Sequence, residues 1–267
     1  MTNECLHNRV AIVTGASKGI GLGIAKEFAE QGANLVLCAR NKTGLKNILN
    51  DFGPKQSRVE TIDVDLSQKN SAKSIVDFTL GKFGKIDIIV NNVGGITQTG
   101  QFEDLNDSDW IDSLELNLLS SVRLIREAIP LLRKSDYGRV INISSFVAKE
   151  PGKFNPHYSA SKAGLLNLSK YLSNYLANDH ITVNTISPGN IETEGWEDYI
   201  ENKSSSENID INIIRDQEQK RVIASIPLGR QGKVVEIARM VSFLASDNGS
   251  YITGANIVID GGKLRSL

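Results

Sequence analysis

Cysteine and histidine are scarce in this sequence, which disfavours both a disulfide framework and a metal site. The chain has two cysteines in 267 residues, Cys5 and Cys38, and their spacing is not that of metal ligands. Its three histidines, at positions 7, 157 and 180, are scattered along the chain. We therefore expect no bound metal, and so little cysteine favours a reducing compartment, the cytoplasm.

Long hydrophobic runs and an excess of charge are missing as well. No apolar run reaches the roughly 18 residues of a membrane-spanning helix, and the N-terminal stretch MTNECLHNRV lacks the apolar core of a signal peptide. A formal net charge of −1 provides no basic stripe for nucleic acid. With 40% hydrophobic and 23% charged residues, the composition is that of a soluble globular protein whose partners include neither a membrane nor a nucleic acid.

Short apolar runs alternate with longer amphipathic stretches along the chain. The apolar residues of each run are contiguous, which is typical of strands buried on both faces of a parallel sheet. Stretches 19–32 and 107–134 have helical periodicity, the first ending at Gly32 and the second beginning with Asp107 or Ser108 as N-cap. Repeated βα units predict an α/β fold, a doubly wound Rossmann-type parallel sheet of about seven strands with helices on both faces. The predicted strands span residues 9–14, 34–39, 58–63, 86–91, 138–144, 181–187 and 256–260.

One segment, at about 193–226, interrupts this alternation. It contains no strand pattern, and 202-NKSSSENIDIN-212 is polar. A long irregular insertion in a compact domain is typical of a functional lid or a disordered excursion. We predict a mobile substrate lid here, with an inert surface loop as the alternative. No linker or repeat divides the rest, so residues 1–267 are predicted to form a single domain.

A glycine-rich turn follows the first predicted strand, in 10-VAIVTGASKGIGLG-23. Gly15, Gly19 and Gly21 allow a tight turn and let backbone N–H groups approach a pyrophosphate at the start of a helix. The spacing differs from the usual G-x-G-x-x-G dinucleotide fingerprint. Its position between a predicted strand and a predicted helix nevertheless indicates a dinucleotide site.

The choice of dinucleotide is predicted from the end of the second strand. A carboxylate there favours NAD, whereas a guanidinium can hold the 2′-phosphate of NADP. The chain has no acid in 38-CARNKT-43, and it has Arg40 there and Lys18 within the glycine turn. The alternative is that both are solvated surface charges. We predict NADP(H) in preference to NAD(H).

Tyr158 and Lys162 lie four residues apart in 158-YSASK-162. On a helix they share a face, and a nearby ammonium lowers the pKa of a phenol. A tyrosine tuned in this way can exchange a proton with an alcohol oxygen. Ser145 follows a predicted strand at the sheet edge where ligands bind, so its hydroxyl could polarise a substrate carbonyl.

These motifs together resemble the short-chain dehydrogenase/reductase family in its compact single-domain branch, from about residue 8 to residue 262. The likeness is greatest to the 3-oxoacyl carrier-protein reductase type. The motifs are 14-TGASKGIG-21, 91-NNVGG-95, Asn117 in 115-ELNLLSS-121, Ser145 in 142-NISSF-146, 158-YSASK-162 and 188-PGNIET-193.

The resemblance implies four catalytic positions. Tyr158 would be the general acid in reduction and the base in oxidation, and Lys162 would lower its pKa and bind the nicotinamide ribose. Ser145 would orient the carbonyl, and Asn117 would hold a water behind Lys162. A helix-interior asparagine bonded to its own backbone is the alternative for Asn117.

The resemblance also implies the cofactor contacts. Asp65 would contact the adenine, with a helix N-cap as its alternative, and Asn91 would lie near the cofactor and tie the central strands together. Val93 stands where the family often has alanine. The implied cofactor-binding set is Gly15, Ser17, Lys18, Gly19, Ile20, Gly21, Arg40, Asp65, Leu66, Asn91, Val93, Gly94, Tyr158, Lys162, Pro188, Gly189, Ile191 and Thr193.

The implied function is NADPH-dependent hydride transfer between nicotinamide, through its pro-S hydride, and a small carbonyl or secondary alcohol. The alternatives are an NAD-dependent alcohol or sugar dehydrogenase and a catalytically idle nucleotide-binding protein. The long insertion after Thr193 leaves the substrate open. Counterparts of stretches 107–133 and 156–178 pair in the family, which implies a homodimer or homotetramer. Arg133, Lys134 and Lys170 could dock an acidic carrier protein, with solvated side chains as the alternative.

Overall fold

A parallel sheet of seven strands organises the structure. The computed structural model describes residues 5–265, apart from the side chains of residues 54, 56 and 57, so both ends of the predicted domain 1–267 lie outside the described residues. The strands are β1 Val10–Thr14, β2 Asn34–Ala39, β3 Val59–Asp63, β4 Ile88–Asn91, β5 Arg139–Ile143, β6 Thr182–Pro188, β7 Ile191–Glu192, β8 Gly232–Lys233 and β9 Asn256–Ile259. The sheet order is β3-β2-β1-β4-β5-β6-β9, which confirms the predicted fold class.

Helices cover both faces of the sheet. They are α1 Gly19–Glu30, α2 Lys42–Leu49, α3 Ser71–Phe83, α4 Asp107–Leu114, α5 Ser120–Leu132, α6 Pro156–Tyr175, α7 Glu194–Glu207, α8 Ile211–Ile223 and α9 Val234–Ala245. None of the helices within residues 5–265 combines the length and the apolar character needed to cross a membrane.

Strands such as β1 have an unbroken run of apolar residues because a hydrophobic core lies on each face of the sheet. Ala11 and Val13 pack with residues of α1 and α9 in one layer. Ile12 lies between them in sequence and packs on the opposite face, with residues of α3 and α5. Because successive side chains of a strand point to opposite faces, a sheet covered on both sides needs an apolar residue at every position.

The predicted helix 107–134 is interrupted by a π-helical turn, Glu115–Leu119. The N-cap of α4 is Asn106, which directly precedes the two residues predicted as alternative caps, Asp107 and Ser108. The Asn106 side chain accepts from the backbone N–H of Asp109 at 3.3 Å, and the Asp109 carboxylate accepts from the Asn106 N–H at 2.9 Å. This reciprocal pair satisfies N–H groups that the first turn leaves free.

The predicted irregular lid is instead a pair of helices, α7 and α8. Ile200 and Ile214 are buried. Lys203 of α7 donates to Glu218 of α8 at 2.6 Å, and Arg221 pairs with the same carboxylate. Apolar burial and these ion pairs to the buried Glu218 carboxylate order a segment whose serine and asparagine content indicates a loop. A short parallel ladder, β7 with β8, joins the two ends of the excursion.

Candidate active site

The glycine turn lies between β1 and α1 at the point where the strand order reverses, with β2 and β4 on opposite sides of β1. Gly15 and Gly19 have φ values of 63° and 58°, a left-handed conformation that glycine adopts at little cost. A Cβ on Gly21 would lie 2.3 Å from the carbonyl oxygen of Gly15. The turn therefore requires glycine at all three positions, and it opens the crevice where doubly wound sheets bind ligands.

Thr14 and Asn92 fasten this turn to the end of β4. The Thr14 hydroxyl accepts from the backbone N–H groups of Asn92 and Val93, both at 2.9 Å. The Asn92 side-chain amide donates to the carbonyl oxygens of Thr14 and Gly15 at 2.9 and 3.2 Å. These bonds hold the floor of the crevice in one geometry.

The carboxylate of Glu194 lies at the N-terminus of α1. A Glu194 carboxylate oxygen accepts from the Gly19 N–H at 2.9 Å. Lys18, predicted to bind the 2′-phosphate, pairs with Asp198 of α7 at 2.6 Å. The carboxylate of Glu194 thus shows that this helix start accommodates negative charge, as a pyrophosphate site must.

Arg40 lies at the far end of the same crevice, after β2. It is exposed, and within the described residues no carboxylate lies within ion-pair distance of it. Asn41 beside it caps α2 by accepting from the Gly44 N–H at 2.9 Å.

Asp65 faces the cavity, and its carboxylate accepts from the N–H and hydroxyl of Ser67. The N-cap alternative for Asp65 is wrong, since α3 begins at residue 71.

Three polar side chains meet where β5 and α6 face the crevice. Ser145 caps the short turn after β5, accepting from the Val147 N–H at 3.4 Å. The Ser145 hydroxyl lies near that of Tyr158 and lowers the pKa of the phenol. The Lys162 ammonium donates to the Ile143 carbonyl at 2.9 Å and lies 5.8 Å from the centre of the Tyr158 ring. The i,i+4 spacing on α6 brings these groups to one face, as predicted.

The predicted direction of the Tyr158 pKa shift is wrong, because burial outweighs the effects that would lower the pKa. Loss of hydration raises the pKa of Tyr158, and the nearby Ser145 hydroxyl opposes that rise. Burial also lowers the pKa of Lys162 to about 8, because no described carboxylate compensates its ammonium. A partly neutral amine exerts less of the field that would acidify the phenol.

The same burial predicts how folding stability depends on pH. Below about pH 8 Lys162 is protonated in both states, so the folded protein bears the full cost of burying an ammonium. Between about pH 8 and the ordinary lysine pKa of about 10.4, only the unfolded chain still holds that proton, so stability rises.

We therefore expect the free energy of unfolding of the wild type to gain about 3 kcal/mol relative to Lys162→Met across that interval. Urea unfolding of both proteins at about pH 7 and about pH 10 measures this difference. An equal pH response of the two proteins would contradict it.

Asn117 occupies the π-helical turn and does not line the cavity. Its side chain accepts from the Gly95 N–H at 2.8 Å and donates to the carbonyls of Gly95 and Ser113, each at 3.0 Å. A Cβ on Gly94 would lie 2.7 Å from Asn117 Oδ1 and 2.8 Å from Lys162 Nζ. The bond to its own helix is present as well, so Asn117 holds the 94–95 loop beside Lys162.

Most of the predicted cofactor-binding and catalytic positions line one cavity of about 640 Å³. Gly21, Asn91 and Asn117 do not. The Asn91 amide donates instead to Asn142 in the core at 2.8 Å, tying β4 to β5. The predicted positions on the cavity wall are Gly15, Ser17, Lys18, Gly19, Ile20, Arg40, Asp65, Leu66, Val93, Gly94, Ser145, Tyr158, Lys162, Pro188, Gly189, Ile191 and Thr193.

Sequence reasoning missed several residues that line the cavity. The clearest signal was available in 91-NNVGG-95, where the second asparagine faces the cavity and the first does not. Asn41 could also have been found, as a cap following Arg40. The missed residues are Ala39, Asn41, Gly44, Val64, Asn92, Leu116, Ile143, Ser144 and Gly195.

The crevice fits a nicotinamide dinucleotide. It combines a helix start that receives an anion, glycines that permit close backbone approach, and a free guanidinium at one end with a polar triad at the other. Gly15 and Gly19 would hold the pyrophosphate, and Tyr158 and Lys162 would face the nicotinamide half.

Comparison with known proteins agrees with this geometry. A family model described as enoyl-(acyl carrier protein) reductase matches residues 15–263. The chain is 35% identical over 254 residues to 3-oxoacyl-(acyl-carrier-protein) reductase FabG of Salmonella typhimurium, covering 95% of this chain and 96% of that protein. It is 32% identical over 265 residues to NADPH-dependent reductase BacG of Bacillus subtilis, covering 98% and 100%.

A solved structure is similar over the same extent. L-sorbose reductase from Gluconobacter frateurii, in complex with NADPH and L-sorbose, matches 99% of this chain and 100% of its own with a TM-score of 0.93 and 31% sequence identity. The family match and these whole-length relatives establish that the chain belongs to the short-chain dehydrogenase/reductase family of NAD(P)-dependent oxidoreductases, in which it resembles the 3-oxoacyl-(acyl-carrier-protein) reductases.

Proposed function

We propose that the protein is an NADPH-dependent reductase of a small carbonyl compound, which is converted to the secondary alcohol. The observation that carries this proposal is the convergence of the Tyr158 hydroxyl, the Ser145 hydroxyl and the Lys162 ammonium at one end of the dinucleotide cavity. These are a proton donor, a hydrogen-bond donor for a carbonyl oxygen and a cation, all held by buried backbone elements.

When bound, the reduced dinucleotide supplies a hydride, and therefore two electrons, to the carbonyl carbon. Ser145 hydrogen-bonds the carbonyl oxygen as negative charge develops on it. Tyr158 donates its hydroxyl proton to that oxygen, completing the alcohol. Lys162 stabilises the phenolate that remains. The proton that restores the phenol would reach Tyr158 through Lys162, with Asn117 behind it.

NADPH is the proposed cofactor because Arg40 offers a guanidinium at the end of β2 with no acidic partner among the residues that the structure describes. A guanidinium binds a phosphate through charge-assisted, bidentate hydrogen bonds. The BacG relative is named NADPH-dependent, and the L-sorbose reductase structure contains NADPH. Lys18 could bind the 2′-phosphate together with Arg40 when its ion pair with Asp198 is broken.

Reversing the charge at this position tests the cofactor assignment. Arg40→Asp is expected to lower kcat/KM with NADPH by about tenfold to a hundredfold and to raise it with NADH, because charge-assisted hydrogen bonds of about 1.5–3 kcal/mol are lost. Lys46→Asp is the matched control, since it makes the same charge change at an exposed position of α2 outside the cavity. An unchanged NADPH/NADH ratio in Arg40→Asp would place the 2′-phosphate elsewhere.

We propose a single domain, located in the cytoplasm, with α7 and α8 as the substrate lid and a homodimer or homotetramer as its assembly. The lid contacts the cofactor crevice through Glu194 and Asp198, so its opening would free the Gly19 N–H and Lys18 together.

The decisive experiment follows the absorbance of the reduced nicotinamide with NADPH and NADH in parallel. The substrates are a panel of small ketones, ketoses and 3-oxoacyl thioesters. Carbonyl-dependent oxidation with a preference for NADPH is expected. Preference for NADH would favour the NAD-dependent dehydrogenase, and tight NADPH binding without turnover on any substrate would favour an idle nucleotide-binding protein.

A further inference from the structure

A second cavity, of about 350 Å³, shares no lining residue with the first. One wall begins at Phe146, which directly follows Ser145. The opposite wall is formed by the chain end after β9. The lining residues are Phe146, Glu150, Ala224, Ser225, Ile226, Pro227, Gly262, Lys263, Leu264 and Arg265.

Lys263 connects this cavity to the catalytic site. Its ammonium donates to the side-chain oxygen of Asn190 at 2.7 Å and lies 4.7 Å from the centre of the Phe146 ring. Asn190 stands between Gly189 and Ile191, which both line the dinucleotide cavity. The cation is thus held between the residue after Ser145 and the segment beside the cofactor crevice.

The Lys263 ammonium has no carboxylate partner among the described residues. Its contacts there are one amide oxygen and one aromatic face, which leaves donor capacity unused. Burial lowers the pKa of Lys263, and the nearby charge of Arg221 adds to that effect, whereas the carboxylates of Asp260 and Glu150 attract the ammonium and oppose it. Such a group binds an anion more strongly than a fully hydrated surface lysine does.

The acidic groups around it are occupied by other partners. Asp260 accepts from the backbone N–H groups of Gly262 and Leu264 at 2.8 and 2.7 Å, one with each oxygen. A carboxylate oxygen of Glu150, on the rim, accepts from the Arg265 N–H at 3.2 Å. Asp260 and Glu150 thus attract the Lys263 ammonium without forming an ion pair with it among the described residues, because their oxygens accept from backbone N–H groups.

We propose that Lys263 binds a carboxylate carried by the substrate, so that the reducible compound is an oxo acid whose carbonyl lies at Tyr158 and Ser145. This inference rests on the proposed carbonyl reduction and adds the substrate class. The other walls, Phe146, Ile226 and Pro227 among them, suit a short apolar body between the two groups. A carboxylate suits the cavity better than a dianionic phosphate, because Glu150 on the same rim would repel the second charge.

The test compares oxo acids with their uncharged esters. Acetoacetate, levulinate and a cyclohexanone carboxylate are each assayed beside the ethyl ester with NADPH. In the wild type, kcat/KM for at least one acid is expected to exceed that for its ester by about tenfold to a hundredfold, the range of a charge-assisted hydrogen bond. A phosphorylated ketone serves as the second anion and is expected to react more slowly than the best acid.

Variants assign the preference to this side chain. Lys263→Met is expected to bring the acid/ester ratio close to one, and Lys263→Arg to restore much of it. Lys46→Met, at an exposed position in neither cavity, is the control and is expected to keep the wild-type ratio. NADPH dissociation constants, measured for each variant, separate a lost anion contact from a disturbed Asn190 segment.

Each contrary result has one meaning. Equal use of acids and esters by the wild type would overturn the inference and leave carbonyl reduction standing. A preference that survives in Lys263→Met, or a ratio lost only together with NADPH binding, would overturn the role of Lys263. Preference for the phosphorylated ketone would replace the carboxylate by a phosphate. Absence of turnover on the whole panel would contradict the proposed reduction itself.

Discussion

Tyr158→Phe is expected to lower kcat by about 10²- to 10⁴-fold, the usual contribution of a positioned general acid. The ring and its packing remain, and only the hydroxyl beside that of Ser145 is lost. NADPH binding is expected to stay close to the wild-type value, because the remaining cavity wall is unchanged. Steady-state kinetics and fluorescence titration with NADPH measure the two effects separately.

Tyr175→Phe is the matched control for this substitution. Tyr175 lies on the same helix, α6, but is exposed and stacks on Tyr171 at a centroid distance of 5.9 Å. Its variant is expected to behave as the wild type. If Tyr158→Phe kept most of its turnover, another group would have to supply the proton, and the proposed mechanism would be wrong.

Gly21→Ala is expected to produce the largest structural effect of any single methyl group in the cofactor turn. The new Cβ would lie 2.3 Å from the Gly15 carbonyl oxygen and 2.5 Å from the Asn92 side-chain nitrogen. The first contact is with backbone and cannot be relieved by rotating a side chain. Overpacking of this kind costs about 1–3 kcal/mol, more than the helix propensity of about 1 kcal/mol that alanine would gain.

Thermal unfolding and NADPH titration measure this effect. Both the melting temperature and NADPH affinity are expected to fall, because the displaced Gly15 and Asn92 form the floor of the crevice. Gly81→Ala is the control, since Gly81 lies within α3 and no atom comes within 4 Å of the added Cβ. That variant is expected to be as stable as the wild type or more so. Wild-type behaviour of Gly21→Ala would contradict the rigid turn.

The lid illustrates a limit of reading local sequence. Helices α7 and α8 form although stretch 202–212 is rich in serine and asparagine, residues that favour turns. Their order depends on the Lys203–Glu218 pair and on the burial of Ile200. The pair joins two different helices across 15 residues, so the local composition of the serine-rich stretch does not reveal it.

The two asparagines of 91-NNVGG-95 show a second limit. Neighbouring residues at a strand end point to opposite sides, so a shift of one position exchanges core and cavity. Asn91 bonds Asn142 in the core, and Asn92 faces the crevice. The motif locates the strand end, but the pairing of β4 with its neighbours decides which amide reaches the ligand.

Contiguous apolar runs and helical spacing are local properties of the chain, so the parallel sheet, the glycine turn and the pairing of Tyr158 with Lys162 could be predicted from them. The pKa directions of those two groups and the position of Lys263 near Phe146 emerge only in the folded chain. Burial and the neighbours of a charge depend on how distant segments pack. That is why the type of reaction could be predicted from local motifs, whereas the proposed carboxylate contact required the folded chain.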